Sequence, residues 1–295
     1  MRKPNYSYLL VGGCLLVMLT IASHRVLAQD VPATSSAPVA VTSGLSADMI
    51  FLKRFSSVES QRLIRLYQDQ FELYRQTDRE FTTAQAEYLQ LGTLASLESA
   101  VVSSRKMMLD RCDVLITYHE LLATTLVDSL GVELQLKQAT LGELQHSIDA
   151  LKQIRLEISN IQDRYDVGTI NATFETQLVP QLNSVAYKTL SQLVVADLQS
   201  LLDKTKQVYA ELKTELEQRT ATKLQLEERK RAYTEVDAAV RELETQLAAV
   251  TEQVKTAEAF NWNSYQQLVG KLEKVYGGLG QVLTYIEELE RDGNE

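Results

Sequence analysis

Helix breakers are scarce in this chain. Its 295 residues contain four prolines and twelve glycines. Pro4, Pro32 and Pro38 lie ahead of residue 46, so Pro180 is the one proline in the remainder. No run alternates strictly with β-branched residues over ten positions, which leaves nothing to read as a membrane-barrel strand. Few breakers combined with apolar residues at helical spacing predict an all-α chain.

Chemistry-bearing residues are equally sparse. There are two cysteines, Cys14 and Cys112, and three histidines. The chain has no Gly-x-Ser-x-Gly, no phosphate-cradling glycine loop, no Cys-x-x-Cys and no His-Glu-x-x-His. Glu143-Leu144-Gln145-His146 matches the Glu-x-x-His element of di-metal helical bundles, but that site needs a second copy and further carboxylates, and neither is found. The reading is therefore non-enzymatic, with no catalytic residue, no cofactor and no metal. Asn171-Ala172-Thr173 fits a glycosylation acceptor, a three-residue signal with weight only in a eukaryotic secretory pathway.

The front of the chain has a different character. Arg2 and Lys3 precede an apolar run from Tyr8 to Ala22, and Val26-Leu27-Ala28 follows. This is the three-part layout of a secretory signal peptide over 1–28, cut after Ala28. The rival is an uncleaved anchor, the one case in which the protein would touch a membrane. The run would reach about 22 Å as a helix, short of the roughly 30 Å hydrocarbon core. Cys14 follows Val11-Gly12-Gly13 as in a lipoprotein, but the apolar run continues beyond it, where a lipidated chain turns polar. Residues 29–45, rich in Pro, Ser, Thr and Ala, read as a tether. The expected location is secreted or periplasmic.

Cleavage would leave Cys112 as the only thiol and exclude an intramolecular disulfide. Cys112 continues the seam of its own helix, which predicts a buried, inert thiol. The formal net charge of −9 would become −12, since Arg2, Lys3 and Arg25 are lost without any acid. An acidic secreted chain has little attraction for nucleic acid or anionic lipid.

The strongest signal lies near the C-terminus. Tyr233, Val236, Val240, Leu243, Leu247, Val250 and Val254 recur at steps of three and four, and Leu268, Leu272, Val275, Leu279, Val282 and Ile286 do so again around a break at Trp262. Each set forms one stripe of a helix that must pack on another helix. The second stripe begins soon after the first, so the two are expected to pair as an antiparallel hairpin, with a homodimer left open. Gly270, Gly277, Gly278 and Gly280 interrupt the last helix and allow either close approach or a bend.

Upstream, Tyr67, Tyr74, Phe81 and Tyr88 recur every seven residues, a pattern expected of core. Leu94, Val101, Met108, Leu115 and Leu122 do the same beyond a turn at Gly92-Thr93. Ser46 is read as the cap of the first helix, Thr140–Glu143 as a capping box, Asp166–Thr169 as a turn with Asn171 as the next cap, and Ser264–Gln267 as a further box. Pro180 should kink a helix or open one. Beyond it no breaker appears before Glu258, and a seam of Val194, Leu198, Leu201, Thr205, Val208 and Leu212 weakens between 215 and 229.

Asp163-Arg164-Tyr165-Asp166-Val167-Gly168 resembles the Arg-Tyr-x-x-Gly step of TolC-like outer-membrane efflux proteins, over a few dozen residues at most. Barrel strands of that family have no counterpart here, and no function is carried over.

The expected architecture is an elongated antiparallel helical bundle or coiled coil of about five helices with one very long helix: an N-terminal bundle over 46–165, a long coiled-coil helix over 171–258, and a C-terminal helix over 264–291 packing back on it. The expected role is a spacer or docking scaffold of the cell envelope, binding a protein partner through exposed helix faces. The alternatives are a coiled-coil regulator of a cell-wall enzyme and a helical small-molecule or lipid carrier.

Overall fold

The computed structural model describes residues 57–161, 164–219, 222–257 and 259–292. The expected signal peptide, the expected tether and the expected cap at Ser46 lie outside them. The described residues are all-helical: α1 (Val58–Leu91), α2 (Leu94–Asp128), α3 (Leu134–Ser159), α4 (Arg164–Thr173), a π turn (Phe174–Leu178), α5 (Val179–Gln218), α6 (Lys223–Thr256) and α7 (Trp262–Asp292). No helix among them is long and apolar enough to cross a membrane. The chain forms two compact units. Among the described residues, one comprises 57–128 with Leu134–Thr189, the other Ser129–Glu133 with 190–292.

The first unit is a bundle of α1, α2, α3, α4 and the start of α5. Ser57 caps α1, its hydroxyl accepting from the Ser60 amide at 3.1 Å. The Glu80–Lys106 ion pair and the Tyr67–Tyr118 ring contact set α1 and α2 antiparallel. Asp113–Arg155 and Glu120–Lys152 do the same for α2 and α3. Leu63, Met108, Leu115, Leu122, Leu144, Leu151, Ile158, Leu182 and Tyr187 fill the centre. Each such side chain contributes on the order of 1.5–3 kcal/mol by leaving water. Tyr67 and Tyr74 are core as expected, while Phe81 and Tyr88 are half-buried, because they lie where α1 has only α2 beside it.

Several local expectations are corrected. Thr140 and Glu143 are not a capping box: α3 already starts at Leu134, Thr140 is buried in its interior, and Glu143 pairs with Lys188. Asp166–Thr169 is not a turn and Asn171 is not a cap, since both lie inside α4. Pro180 opens a helix in one sense only: it is the second residue of α5, directly after the π turn, and no break precedes it. The Val179 amide bonds back five residues to the Phe174 carbonyl, and helix runs on from Arg164 to Gln218 across the π turn. That wider turn relieves the clash an imino acid causes in regular α-helix.

The very long helix expected over 171–258 is two helices. Thr222 has extended backbone and caps α6 in a reciprocal box with Gln225, so the rod ends at Gln218 and restarts at Lys223. In the second unit, Lys206–Glu244 and Lys213–Asp237 set α5 and α6 antiparallel. Arg229 donates to the Leu216 carbonyl near the α5–α6 turn. The cap of α7 is Asn261 rather than Ser264. Its Oδ1 accepts from the Ser264 amide at 2.9 Å, and the Ser264 hydroxyl accepts from the Asn261 amide at 3.0 Å. The Ser129–Glu133 loop is held by Glu133–Lys255 and by Gly131, whose Cα hydrogen faces Ala196 so closely that a Cβ would lie 2.8 Å from the Ala196 carbonyl oxygen.

Candidate functional site

Four features carry the chemistry of the described surface and interior. The first is the seam. Val236, Val240, Leu243, Leu247, Val250 and Val254 on α6 are buried, as are Leu268, Leu272, Val275, Leu279, Val282 and Ile286 on α7. Gly278 lets the helices approach: a Cβ there would meet Leu243 Cδ2 at 2.5 Å. Tyr233, at the end of the stripe, is half-buried and turns instead to α5, where its ring meets the edge of Tyr209. Lys213 lies 5.1 Å from the Tyr233 ring and 5.8 Å from that of Tyr209. Within the chain, α6 and α7 cover this seam for each other.

The α5 part of the seam is shifted. Leu198, Leu202, Thr205, Tyr209 and Leu216 are buried, whereas the expected Val208 is exposed and Leu201 only half-buried. Adjacent apolar pairs (Leu201-Leu202, Val208-Tyr209) satisfy both phases of a three-and-four pattern, and the position of α6 selects the second.

The second feature is the groove at Glu143 and His146. It measures about 440 Å³ and is lined by Gly142, His146, Ser147, Leu178 and Leu182 among others. The Glu143 carboxylate takes two hydrogen bonds from Lys188 Nζ, at 2.7 and 3.0 Å. Among the described residues no group of three His, Cys, Asp or Glu side chains could hold a metal.

The third is a buried charge centre on the π turn. Arg111 pairs with Glu175, and its guanidinium stands 4.8 Å from the centre of the Phe174 ring. The neighbouring Cys112 is fully buried and its thiol is pushed up to about 12, chiefly by loss of hydration. It is buried, as expected, and a thiol held protonated in this way is a weak nucleophile. His119 is buried one helical turn on from Leu115, to whose carbonyl its Nδ1 donates at 2.8 Å. Burial lowers its pKa, and the carbonyls of Leu115 and Leu182 pull the other way.

The fourth was not singled out from the sequence. Between Thr82 and Ser104, spanning the α1–α2 turn, only Ala84, Ser96 and Ser104 are buried. The turn itself is tightly specified. Gly92 at φ 59° closes α1 by donating its amide to Tyr88. Thr93 and Ser96 exchange hydrogen bonds to open α2, with Thr93 Oγ1 accepting from the Ser96 amide at 3.2 Å and Ser96 Oγ from the Thr93 amide at 3.1 Å. Around this turn Leu89, Leu91 and Leu94 are 77%, 62% and 72% exposed. Scattered exposed leucines are ordinary, but three exposed leucines within six residues at one braced turn are a local concentration of apolar surface.

No family model, curated protein or solved structure matches the chain.

Proposed function

We propose that this protein is a secreted or periplasmic, non-enzymatic scaffold of the cell envelope that docks a protein partner through exposed helix faces. The signal-like front and the tether support export. The observation that carries the docking role is the leucine patch on the braced α1–α2 turn, because the regular seams are already covered inside the chain and this patch is not. The reading is tested by placing a photocrosslinking residue at Leu91, Leu156, Val208 and Tyr285, all exposed, in producing cells. Discrete protein adducts at one or more positions are expected; a scan without adducts sinks the proposal.

A second reading, a small-molecule or lipid carrier, draws on the groove at His146 and Leu182, whose volume of about 440 Å³ lies within the range of ligand pockets. Native mass spectrometry of gently purified protein should then show a co-purifying ligand, and a clean spectrum counts against it.

A further inference from the structure

Charge is distributed unevenly along the two-helix hairpin at the end of the first unit. Charged residues make up 23% of the chain, yet from Thr82 to Ser104 the only ones are Glu87 and Glu98. Both are exposed, one on each side of the turn; no Lys, Arg or His lies within this stretch, and the first cations beyond it are Arg79, which lines a surface recess with Glu87, and Arg105 and Lys106, the latter paired with Glu80. Leu89, Leu91 and Leu94 lie between the two glutamates in sequence. The turn at the tip of this hairpin therefore offers exposed leucines between two exposed glutamates, with its nearest cations set back along the two helices.

We propose that this tip docks into an apolar socket rimmed by lysine or arginine on a partner protein; the proposal rests on the docking-scaffold reading and names the chemistry of its partner. Complementarity follows from the margin. A cationic rim would pair Glu87 and Glu98 as the leucines leave water, whereas a second copy would bring carboxylate against carboxylate around the same patch. A bilayer would have to accept two glutamates near the headgroups without an attracting cation on the tip. The braced turn also suits docking. Gly92 and the Thr93–Ser96 exchange fix the backbone, so little conformational freedom remains to be lost on binding.

The test uses the purified protein and two fluorescent helical peptides, one of leucine with lysine flanks and one of leucine with glutamate flanks. Anisotropy titration should show the lysine peptide bound at least about tenfold more tightly. Leu91→Ser/Leu94→Ser leaves the net charge unchanged and should weaken that binding by a similar factor. Glu87→Lys/Glu98→Lys should move the preference toward the glutamate peptide. These side chains are exposed, so the helical circular dichroism signal should stay constant across the set.

Equal affinity for both peptides overturns the proposal. So does lysine-peptide binding that survives the loss of both leucines, which would mean general attraction to an acidic protein. Leucine-dependent binding to phosphatidylcholine vesicles, or leucine-dependent dimerisation in sedimentation, overturns it in favour of lipid or of a second copy. Crosslinks at Val208 or Leu156 with none at Leu91 retain the scaffold reading and sink this one, while a scan with no adduct anywhere sinks the scaffold reading itself.

Discussion

Removing one partner of the Arg111–Glu175 pair should cost far more than removing both. The two side chains are 10% and 17% exposed, and Arg111 also stacks on Phe174. Arg111→Met would leave the Glu175 carboxylate in the interior without its cation, and Glu175→Met would strand the guanidinium. Breaking a buried pair in this way costs about 3–5 kcal/mol. The residual exposure lets water reach part of the carboxylate, so the lower end applies, about 3 kcal/mol. With an unfolding slope of about 1–3 kcal/mol per molar urea, that shifts the midpoint down by roughly 1–3 M. The double variant Arg111→Met/Glu175→Met fills a similar volume with apolar groups and should lie within about 1.5 kcal/mol of the parent. Urea unfolding followed by circular dichroism, with hydrogen exchange on peptides from α2 and the π turn, reads the cycle. Single substitutions that each cost below about 1 kcal/mol would refute the reasoning, since the pair would then behave as an exposed one. A double variant as costly as the two singles combined would refute it as well, because the two groups would then act independently.

The glycines of α7 should divide. Gly278→Ala destabilises by roughly 1–2 kcal/mol through the contact with Leu243, and Leu243→Ala in the same chain shrinks that penalty; Gly277→Ala, with open space around it, stabilises by about 0.5–1 kcal/mol, both read by thermal melting. Gly131→Ala presses on the Ala196 backbone, which has no rotamer to yield, so melting should fall by more than for Gly277→Ala it rises. His119 is held neutral in the fold, so the unfolded chain binds the extra proton; stability conferred by this residue is present above pH 6.5 and declines as the pH falls, and His119→Gln should flatten that slope in acid titrations of stability. The Cys112 thiol works in the opposite sense. Its folded value is raised, so its contribution is complete below about 9 and is lost as the pH climbs toward 12, and alkylation at neutral pH should occur only in denaturant.

The parts of the fold that could be read from the chain are those where one phase of the apolar pattern is unambiguous. Along α6 the stripe residues have only polar or alanine neighbours, and along α7 the competing phase through Val269, Tyr276 and Leu283 is broken by Glu273, Gly280 and Glu287, so Val236–Val254 and Leu268–Ile286 lie where the spacing puts them. Along α5 the doubled apolar residues leave two phases, and tertiary packing decides. The break before α6 did have a signal: Thr222 followed by Gln225 is a capping box, hidden within a stretch whose seam positions are polar. The π turn had only Pro180 to announce it, and a proline alone does not tell a kink from a bulge. The Arg111–Glu175 pair joins residues 64 apart in the chain, a separation no local pattern encodes. The leucine tip was hidden for a different reason. Its turn was evident at Gly92-Thr93, but exposure depends on how far neighbouring helices extend, and the near absence of charge from Thr82 to Ser104 was the one clue in the sequence.

The docking account is tested most directly by the crosslinking scan in producing cells. It predicts a discrete protein adduct at Leu91 that disappears when Glu87 and Glu98 are changed to lysine, with the fold unchanged. Adducts absent from every exposed position, Leu91 included, would contradict it.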